Sequence, residues 1–350
     1  MSSLVFIVPG TLGTRTGGYI YDRHMVEGLR MRGWSVKVEE IELVQAERVF
    51  ADIPSGTLVL VDGLAFSALP EVAEREASRL RLVALVHQPR GMEIGIDAGA
   101  RTRVEANERR ALGAARLVVV TGKTSVAVLA RYGLSSNRIV VIEPGTERTP
   151  ARRSMLSHGS KGHPVQLLCV ATLNPGKGHE ILLRALASLL EPEWCLTCVG
   201  SLTRDRQTTA RVQSLVHELR LEDRVTLTGE LDEAGVADWY DRADLFVLAT
   251  LQETYGMAVA EALAHGLPVI STATGAIPDL VGSDAGIVVS LGSVDALAEA
   301  LAEALSRTLN DAGLRERFAA GARRVREHLP TWDEAVDTMH AALVHTVAHV

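Results

Sequence analysis

The chain of 350 residues carries 36 Lys+Arg against 43 Asp+Glu, a net charge of −7, and 47% of it is apolar. That length suits about two domains of roughly 150 residues each, and the balance of apolar and charged residues excludes wholesale disorder. The charge speaks against a general nucleic-acid binder. The apolar runs, such as Leu4 to Val8 and Leu117 to Val120, fall far short of the ~18 residues of a membrane span. Three cysteines are too few for a disulfide framework, and no leader pattern opens the chain, so a reduced, cytoplasmic protein is expected. Only Lys37, Lys123, Lys161 and Lys177 are lysines, against 32 arginines. Residues 1–150 hold 19 basic and 17 acidic residues, whereas residues 151–350 hold 17 and 26, so the halves are expected to do different jobs.

In chain order, Leu4 to Val8 is a short buried strand stopped by Pro9-Gly10. A glycine-rich loop and a helix from about Tyr19 to Arg32 follow. Trp34 to Val38, Thr57 to Val61, Arg81 to Val86, Leu117 to Val120 and Ile139 to Ile142 complete a parallel set of β-branched runs. Thr149 to Pro164 is polar and aperiodic and reads as a linker. The alternation then restarts. Strands are expected at Val165 to Val170, Cys195 to Val199, Arg224 to Leu227, Leu245 to Leu248, Pro268 to Ser271 and Gly286 to Val289. Helices are expected at about Glu180 to Leu190, Arg211 to Leu219, Tyr255 to His265, Val294 to Leu305 and Trp332 to Val347. The pattern predicts two open α/β domains in tandem with a cleft between them, their ligands beyond the carboxyl ends of the strands.

Several motifs sit at such ends. The loop from Pro9 to Gly18 has four glycines, which let backbone N–H groups approach an anion at a helix start. Its spacing is not G-x-G-x-x-G. His87 ends a strand. Lys177, between Gly176 and Gly178 at a helix entry, suits a phosphate. Glu253 follows a strand, and Glu261 lies eight residues on, among Ala258, Ala260, Ala262 and Ala264. Helical side chains lean toward the N-terminus, so both acids are expected to converge on the unpaired N–H groups of Tyr255, Gly256, Met257 and Ala258. A carboxylate among alanines needs partners, and sugar or ribose hydroxyls suit it. Two patterns lead nowhere. Gly122-Lys123-Thr124 lacks the first glycine of a P-loop, Leu117 standing in its place. Cys195-Leu-Thr-Cys198 lies in a strand, where residues three apart face opposite ways, so no metal site is expected.

These motifs resemble those of the retaining glycosyltransferases of family 4. The resemblance runs over nearly the whole chain: the glycine loop, His87, Gly176-Lys177-Gly178, Val199-Gly200-Ser201, Arg224 to Gly229, the E-x7-E pair Glu253 and Glu261, Gly266 to Ile270, and the Trp332 helix. It implies the GT-B fold, two Rossmann-like doubly wound parallel-sheet domains facing a central cleft. Residues 1–155 would form the acceptor-side domain and residues 165–331 the nucleotide-sugar domain, with the helix 332–350 packing back on the first. It implies a hexosyl transfer from a nucleotide sugar, UDP- or GDP-linked, to a hydroxyl acceptor in glycan, glycolipid or small-molecule glycoside synthesis. Glu261 would bind the ribose and Glu253 the donor sugar. The amides of Gly256, Met257 and Ala258 would meet sugar and diphosphate, and Gly200 with the stretch Val225 to Leu231 would frame the base. Lys177 would neutralise the diphosphate, approached from the other domain by Gly17 and Gly18, and His87 would face the sugar near its anomeric carbon.

One departure is Thr172, where many members carry an arginine that grips the diphosphate with the lysine. Arg15 or Arg204 would compensate, or the grip is weak, which makes a weak or inactive nucleotide-sugar binder the second reading. A nicotinamide oxidoreductase, with Glu39 and Glu40 as ribose acids, is the third. No Asp-x-Asp occurs, so neither metal nor other cofactor is expected. Acceptor contacts are expected from loops of Arg90 to Arg110, whose Arg90, Arg101, Arg103, Arg109 and Arg110 are candidates for phosphate groups or for peripheral contact with the inner membrane face.

Overall fold

The computed structural model describes residues 2–147, 164–189 and 193–348. The chain divides into two compact units, Met1–Gly145 with Pro330–Val350, and Thr146–Leu329. Apart from Pro164, the expected linker lies outside the described residues, as does Leu190, the expected end of a helix.

The first unit holds β1 (Ser3–Pro9), β2 (Ser35–Ile41), β3 (Leu58–Asp62), β4 (Arg81–Val86), β5 (Leu117–Val120) and β6 (Ile139–Val141), in the spatial order β2-β1-β3-β4-β5-β6. Every pairing is parallel. Alternate residues of these strands feed two separate cores, as a period of two requires. Ile7, Val59, Val61, Leu82, Ala84 and Val86 pack on one face, and Leu4, Phe6, Leu58, Leu60, Val83 and Leu85 on the other. Continuous apolar strands therefore bury both faces. The helices of this unit are α1 (Gly17–Met31), α2 (Ala46–Asp52), α3 (Gly63–Ser67), α4 (Pro70–Glu76), α5 (Ala98–Ala114) and α6 (Lys123–Arg131).

The second unit repeats the plan with β7 (Val165–Val170), β8 (Trp194–Val199), β9 (Val225–Gly229), β10 (Leu245–Leu248), β11 (Val269–Thr272) and β12 (Gly286–Val289), ordered β12-β11-β10-β7-β8-β9 and wholly parallel. Its helices are α7 (His179–Ala187), α8 (Arg206–Glu218), α9 (Glu233–Arg242), α10 (Met257–Ala264), α11 (Ile277–Val281), α12 (Val294–Asn310) and α13 (Ala312–Arg326). In each unit the winding reverses beside the first strand, at β1/β3 and at β7/β10. Such reversal points open a crevice at the strands' carboxyl ends.

The last helix, α14 (Trp332–Ala348), belongs to the first unit. Its Ala335, Val336, Met339 and Leu343 complete the core that α1 begins to cover. Trp332 stacks on His24 with ring centroids 3.9 Å apart, and Trp34 Nε1 donates to His340 Nδ1 at 2.8 Å. Gly28 lets the two helices approach, because a Cβ there would stand 2.5 and 2.7 Å from the methyls of Val336. Glycine-to-alanine changes inside helices ordinarily stabilise by about 1 kcal/mol. Gly28→Ala is expected to do the reverse, losing about 1–3 kcal/mol to overpacking. Thermal melts of Gly28→Ala with and without Val336→Ala check this, since the second change makes room for the new methyl.

One expectation about the first unit needs correction. Residues 98–110, expected as loop, are the body of α5. The run is rich in alanine, arginine and glutamate, good helix formers, and Asp97 caps its start by accepting from the Ala100 amide at 3.0 Å. Four of the arginines between Arg90 and Arg110 are engaged close by. Arg90 pairs with Glu93 at 3.1 Å, Arg110 bridges Glu71 and Glu74 at 2.8 and 2.7 Å, Arg101 donates to the Gly91 and Glu93 carbonyls, and Arg109 lies over the Tyr132 ring. No helix among the described residues is long and apolar enough to cross a membrane.

Candidate functional site

The second unit's reversal point gathers most of the residues singled out in the sequence. The chain leaves β7 through Ala171 to Gly178 and leaves β10 through Ala249 to Gly256. These two loops are tied together: the Leu251 amide donates to the Gly176 carbonyl at 2.7 Å, and the Thr250 hydroxyl donates to the same oxygen at 3.1 Å. Gly178 sits where they cross, at φ +64°, and a Cβ there would lie 2.0 Å from the Ala249 carbonyl oxygen. Only glycine fits that backbone and that gap. The tie brings Lys177 Nζ onto Glu253 Oε1 as a salt bridge, with the two side chains 26% and 15% exposed. A cation and an anion thus stand together at the mouth of α10.

That helix begins at Gly256, whose φ is +97°, and no side chain caps it. Its first amides, with Met257 and Ala258 next in line, carry the positive end of the helix dipole. Glu261 lies one turn inside, half-buried. Tyr240 of α9 donates to Glu261 Oε2 at 3.0 Å and lies 3.1 Å from the Ala258 carbonyl. Burial lifts the Glu261 carboxyl to about 7, against the opposing hydrogen bond from Tyr240 and with the like charge of Glu233 adding to the rise. It is therefore poised between acid and carboxylate near neutrality.

Around this pair, Gly200 follows β8, and a Cβ on it would stand 2.0 Å from the Ala171 carbonyl oxygen and 2.9 Å from the Thr172 nitrogen, so Thr172 and Gly200 line one end of the sheet together. Leu231, just beyond β9, is partly buried against the unit's core, and Tyr255 is buried. Arg204 is exposed in the same unit and Arg15 is exposed in the first.

The first unit's reversal point assembles a second group. His87 follows β4 and Asp62 ends β3, while Asp22 faces inward from α1. His87 Nε2 lies 2.9 Å from Asp22 Oδ1 and 3.4 Å from Asp62 Oδ2. The two carboxylates are buried, with 1% and 4% side-chain exposure, and His87 keeps 21%. Burial works against charge on His87, but Asp22 and Asp62 outweigh it and raise the imidazole to about 10. Asp22 is itself raised by burial, a shift that His87 opposes. His87 is therefore an imidazolium at neutral pH, a fixed cation rather than a base. Gly18 packs on it, a Cβ there falling 3.1 Å from His87 Cδ2, and Gly17 opens α1 beside it. The imidazolium proton thus lies against both carboxylates, and the three ligand atoms stand within 4.8 Å of one another.

Asp22, Asp62 and Tyr240 were not among the candidates from the sequence. Asp22 had a signal: Tyr21, Met25, Val26 and Leu29 are the buried face of α1, and an aspartate at that helical spacing demands a buried partner. Asp62 and Tyr240 carry none, since a strand-end aspartate and a helix tyrosine are ordinary. Glu40 and Glu39, the ribose acids of the dinucleotide reading, have partners of their own within the first unit. Glu40 accepts from the Leu12 amide at 2.8 Å, and Glu39 pairs with Lys37 at 2.5 Å.

Residues 164–307 match the family model of "Glycosyl transferases group 1". A curated relative, the D-inositol 3-phosphate glycosyltransferase of Xylanimonas cellulosilytica, is 30% identical over 254 residues, 68% of this chain and 58% of the relative. The chain thus spans under two thirds of the length of the curated relatives it matches. Among solved structures, sucrose-phosphate synthase from Thermosynechococcus elongatus superposes with a TM-score of 0.83 at 21% identity, each chain covered 100%. Anabaena Alr3699/HepE in complex with UDP-glucose gives 0.73 at 18% identity, again covering 100% of each. By its motifs, its family match and its two-unit architecture, the chain belongs to the group 1 glycosyltransferases of family 4, with the GT-B fold.

Proposed function

We propose that the protein is a retaining glycosyltransferase that moves a sugar from a nucleotide-sugar donor, a UDP-sugar first, to a hydroxyl acceptor without a metal ion. The observation that carries this reading is the arrangement at α10: Lys177 and Glu253 at an uncapped helix start, with Glu261 one turn within. The solved relative holding UDP-glucose supports the donor class. In this reading Glu261 accepts from the ribose hydroxyls and Glu253 from the donor sugar. The amides of Gly256, Met257 and Ala258 and the Lys177 ammonium face the diphosphate. The C1–O bond to the diphosphate breaks, leaving negative charge where these donors point, and fixed donors lower that barrier. The acceptor oxygen bonds to C1 on the same face, and its proton passes to the departing phosphate oxygen. Turnover is expected to persist with EDTA in the assay. Loss on chelation that Mg²⁺ or Mn²⁺ restores would contradict the metal-free reading.

The donor side has a sharp test in Glu261. A carboxylate, not a carboxylic acid, accepts two hydroxyl bonds. With its pKa at about 7, UDP affinity is expected to be roughly tenfold weaker at pH 6 than at pH 8. Glu261→Gln should cost ~1–3 kcal/mol of UDP binding and abolish that pH dependence. Calorimetric titration of UDP, GDP and ADP into both proteins decides it, and unchanged affinity in the variant removes Glu261 from the site.

Thr172 and the Lys177–Glu253 pair favour a second reading, a nucleotide-sugar binder of low activity. The single lysine already shares its charge with a carboxylate, and no arginine stands at position 172. Release of UDP from a UDP-sugar separates the two readings.

A further inference from the structure

We propose that Cys169, Cys198 and His179 form a structural binding site for a thiophilic divalent metal ion, Zn²⁺ being the ion tested. Cys195-x-x-Cys198 is indeed not the pair. Cys195 is partly exposed, and Cys198 turns inward. Its partner comes from the neighbouring strand, where Cys169 of β7 stands directly in register with Cys198 of β8. His179, the first residue of α7, closes the group. The three ligand atoms lie within 4.8 Å of one another, and the residues are 1%, 2% and 3% exposed.

Three observations point to an ion rather than to three packed side chains. Cys169 Sγ lies 3.8 Å from His179 Nε2, close to the separation of about 3.6 Å that tetrahedral bonds of about 2.3 Å to sulfur and 2.0–2.1 Å to nitrogen impose. His179 finds no oxygen for either ring nitrogen: Nε2 faces sulfur, and Nδ1 has no hydrogen-bond partner among the described residues. A buried imidazole without an acceptor or donor oxygen is uncommon. Sulfur and imidazole with no carboxylate select zinc-like ions and exclude Mg²⁺ and Ca²⁺. The charge also closes. On binding, each thiol gives its proton to solvent, and two thiolates with one divalent ion make a neutral centre, the form that burial favours. Three protein ligands leave one position for water.

The site lies at the root of the loop that carries Lys177, two residues before His179. An ion there would fasten the start of α7 to β7 and β8 and so fix the loop. None of its three ligands is among the groups proposed to meet the donor, so the ion plays no part in the bond changes.

Metal analysis of the chain purified under reductant without chelator tests this directly. The expected result is one zinc per chain, retained in Cys195→Ser and lost in Cys198→Ser and His179→Ala. Binding in those two variants should weaken by more than the ~10–100-fold that loss of a supporting partner costs. Apoprotein given Co²⁺ should show thiolate-to-cobalt charge-transfer absorption. If Cys198→Ser misfolds, the wild type and Cys195→Ser still decide the matter through stoichiometry and absorption. Wild type without metal and without the cobalt band overturns the proposal. So does a Cys169–Cys198 disulfide in the native protein, or full zinc in the Cys198→Ser variant.

Discussion

Lys177→Ala is expected to lower donor-saturated turnover by about 10²–10³, the usual worth of one positioned donor at a developing charge. The expectation rests on where the fold puts this lysine. Ties from the loop after β10 to the Gly176 carbonyl hold its loop, and its ammonium is held on Glu253 rather than free in solvent. Alanine would remove the cation and leave the Glu253 carboxylate unpaired beside the diphosphate, with only the helix amides to offset its repulsion. Lys177→Arg should recover part of the loss. Thr172→Arg should leave the wild type unchanged or faster, by offering a bidentate grip. Lys123→Ala, a 78% exposed lysine in the first unit, serves as the control. Near-normal turnover in a folded Lys177→Ala protein would remove the lysine from the leaving-group site.

How much of this was legible beforehand varies with the kind of interaction. The strands announced themselves, because a parallel sheet buried on both faces must be written in continuous Val, Ile and Leu. Arg81–Val86, Leu117–Val120, Val165–Val170 and Gly286–Val289 fall where the runs place them. Short or polar helices did not. α9 and α13 carry more charge than apolar periodicity, and their side-chain caps, Asp232 and Asp311, look like any loop aspartate until the amide they serve is known. The glutamate pair was legible because an acid among alanines is a local contradiction. Cross-element partners were not, since Tyr240 reaches Glu261 from another helix and Asp62 reaches His87 from another strand. The cysteines make the same point. Along the chain the eye pairs Cys195 with Cys198, but strand register pairs Cys198 with Cys169. Sequence displays periodicity and local conflict, whereas partners across a sheet need the topology.

Asp22→Asn is expected to cost the first unit about 3 kcal/mol at pH 7. That is the low end for breaking a buried ion pair, because Asp62 stays 3.4 Å from the imidazole. The pH dependence gives the claim its sign. His87 titrates near 6.5 in the unfolded chain and at about 10 in the fold. Its stabilisation is therefore complete below about 6.5 and drains away as the pH rises toward 10, because over that window the folded state holds the proton and the unfolded state does not. Wild-type unfolding free energy should thus fall between pH 6.5 and 10, by no more than about 1.4 kcal/mol per unit for one proton. Asp22→Asn removes the nearer counter-charge, so His87 should titrate lower and the alkaline slope should shrink along with the stability. Urea unfolding at several pH values, with His87 followed by NMR, measures both quantities. Equal slopes in wild type and variant would mean that the imidazole is not held charged by Asp22.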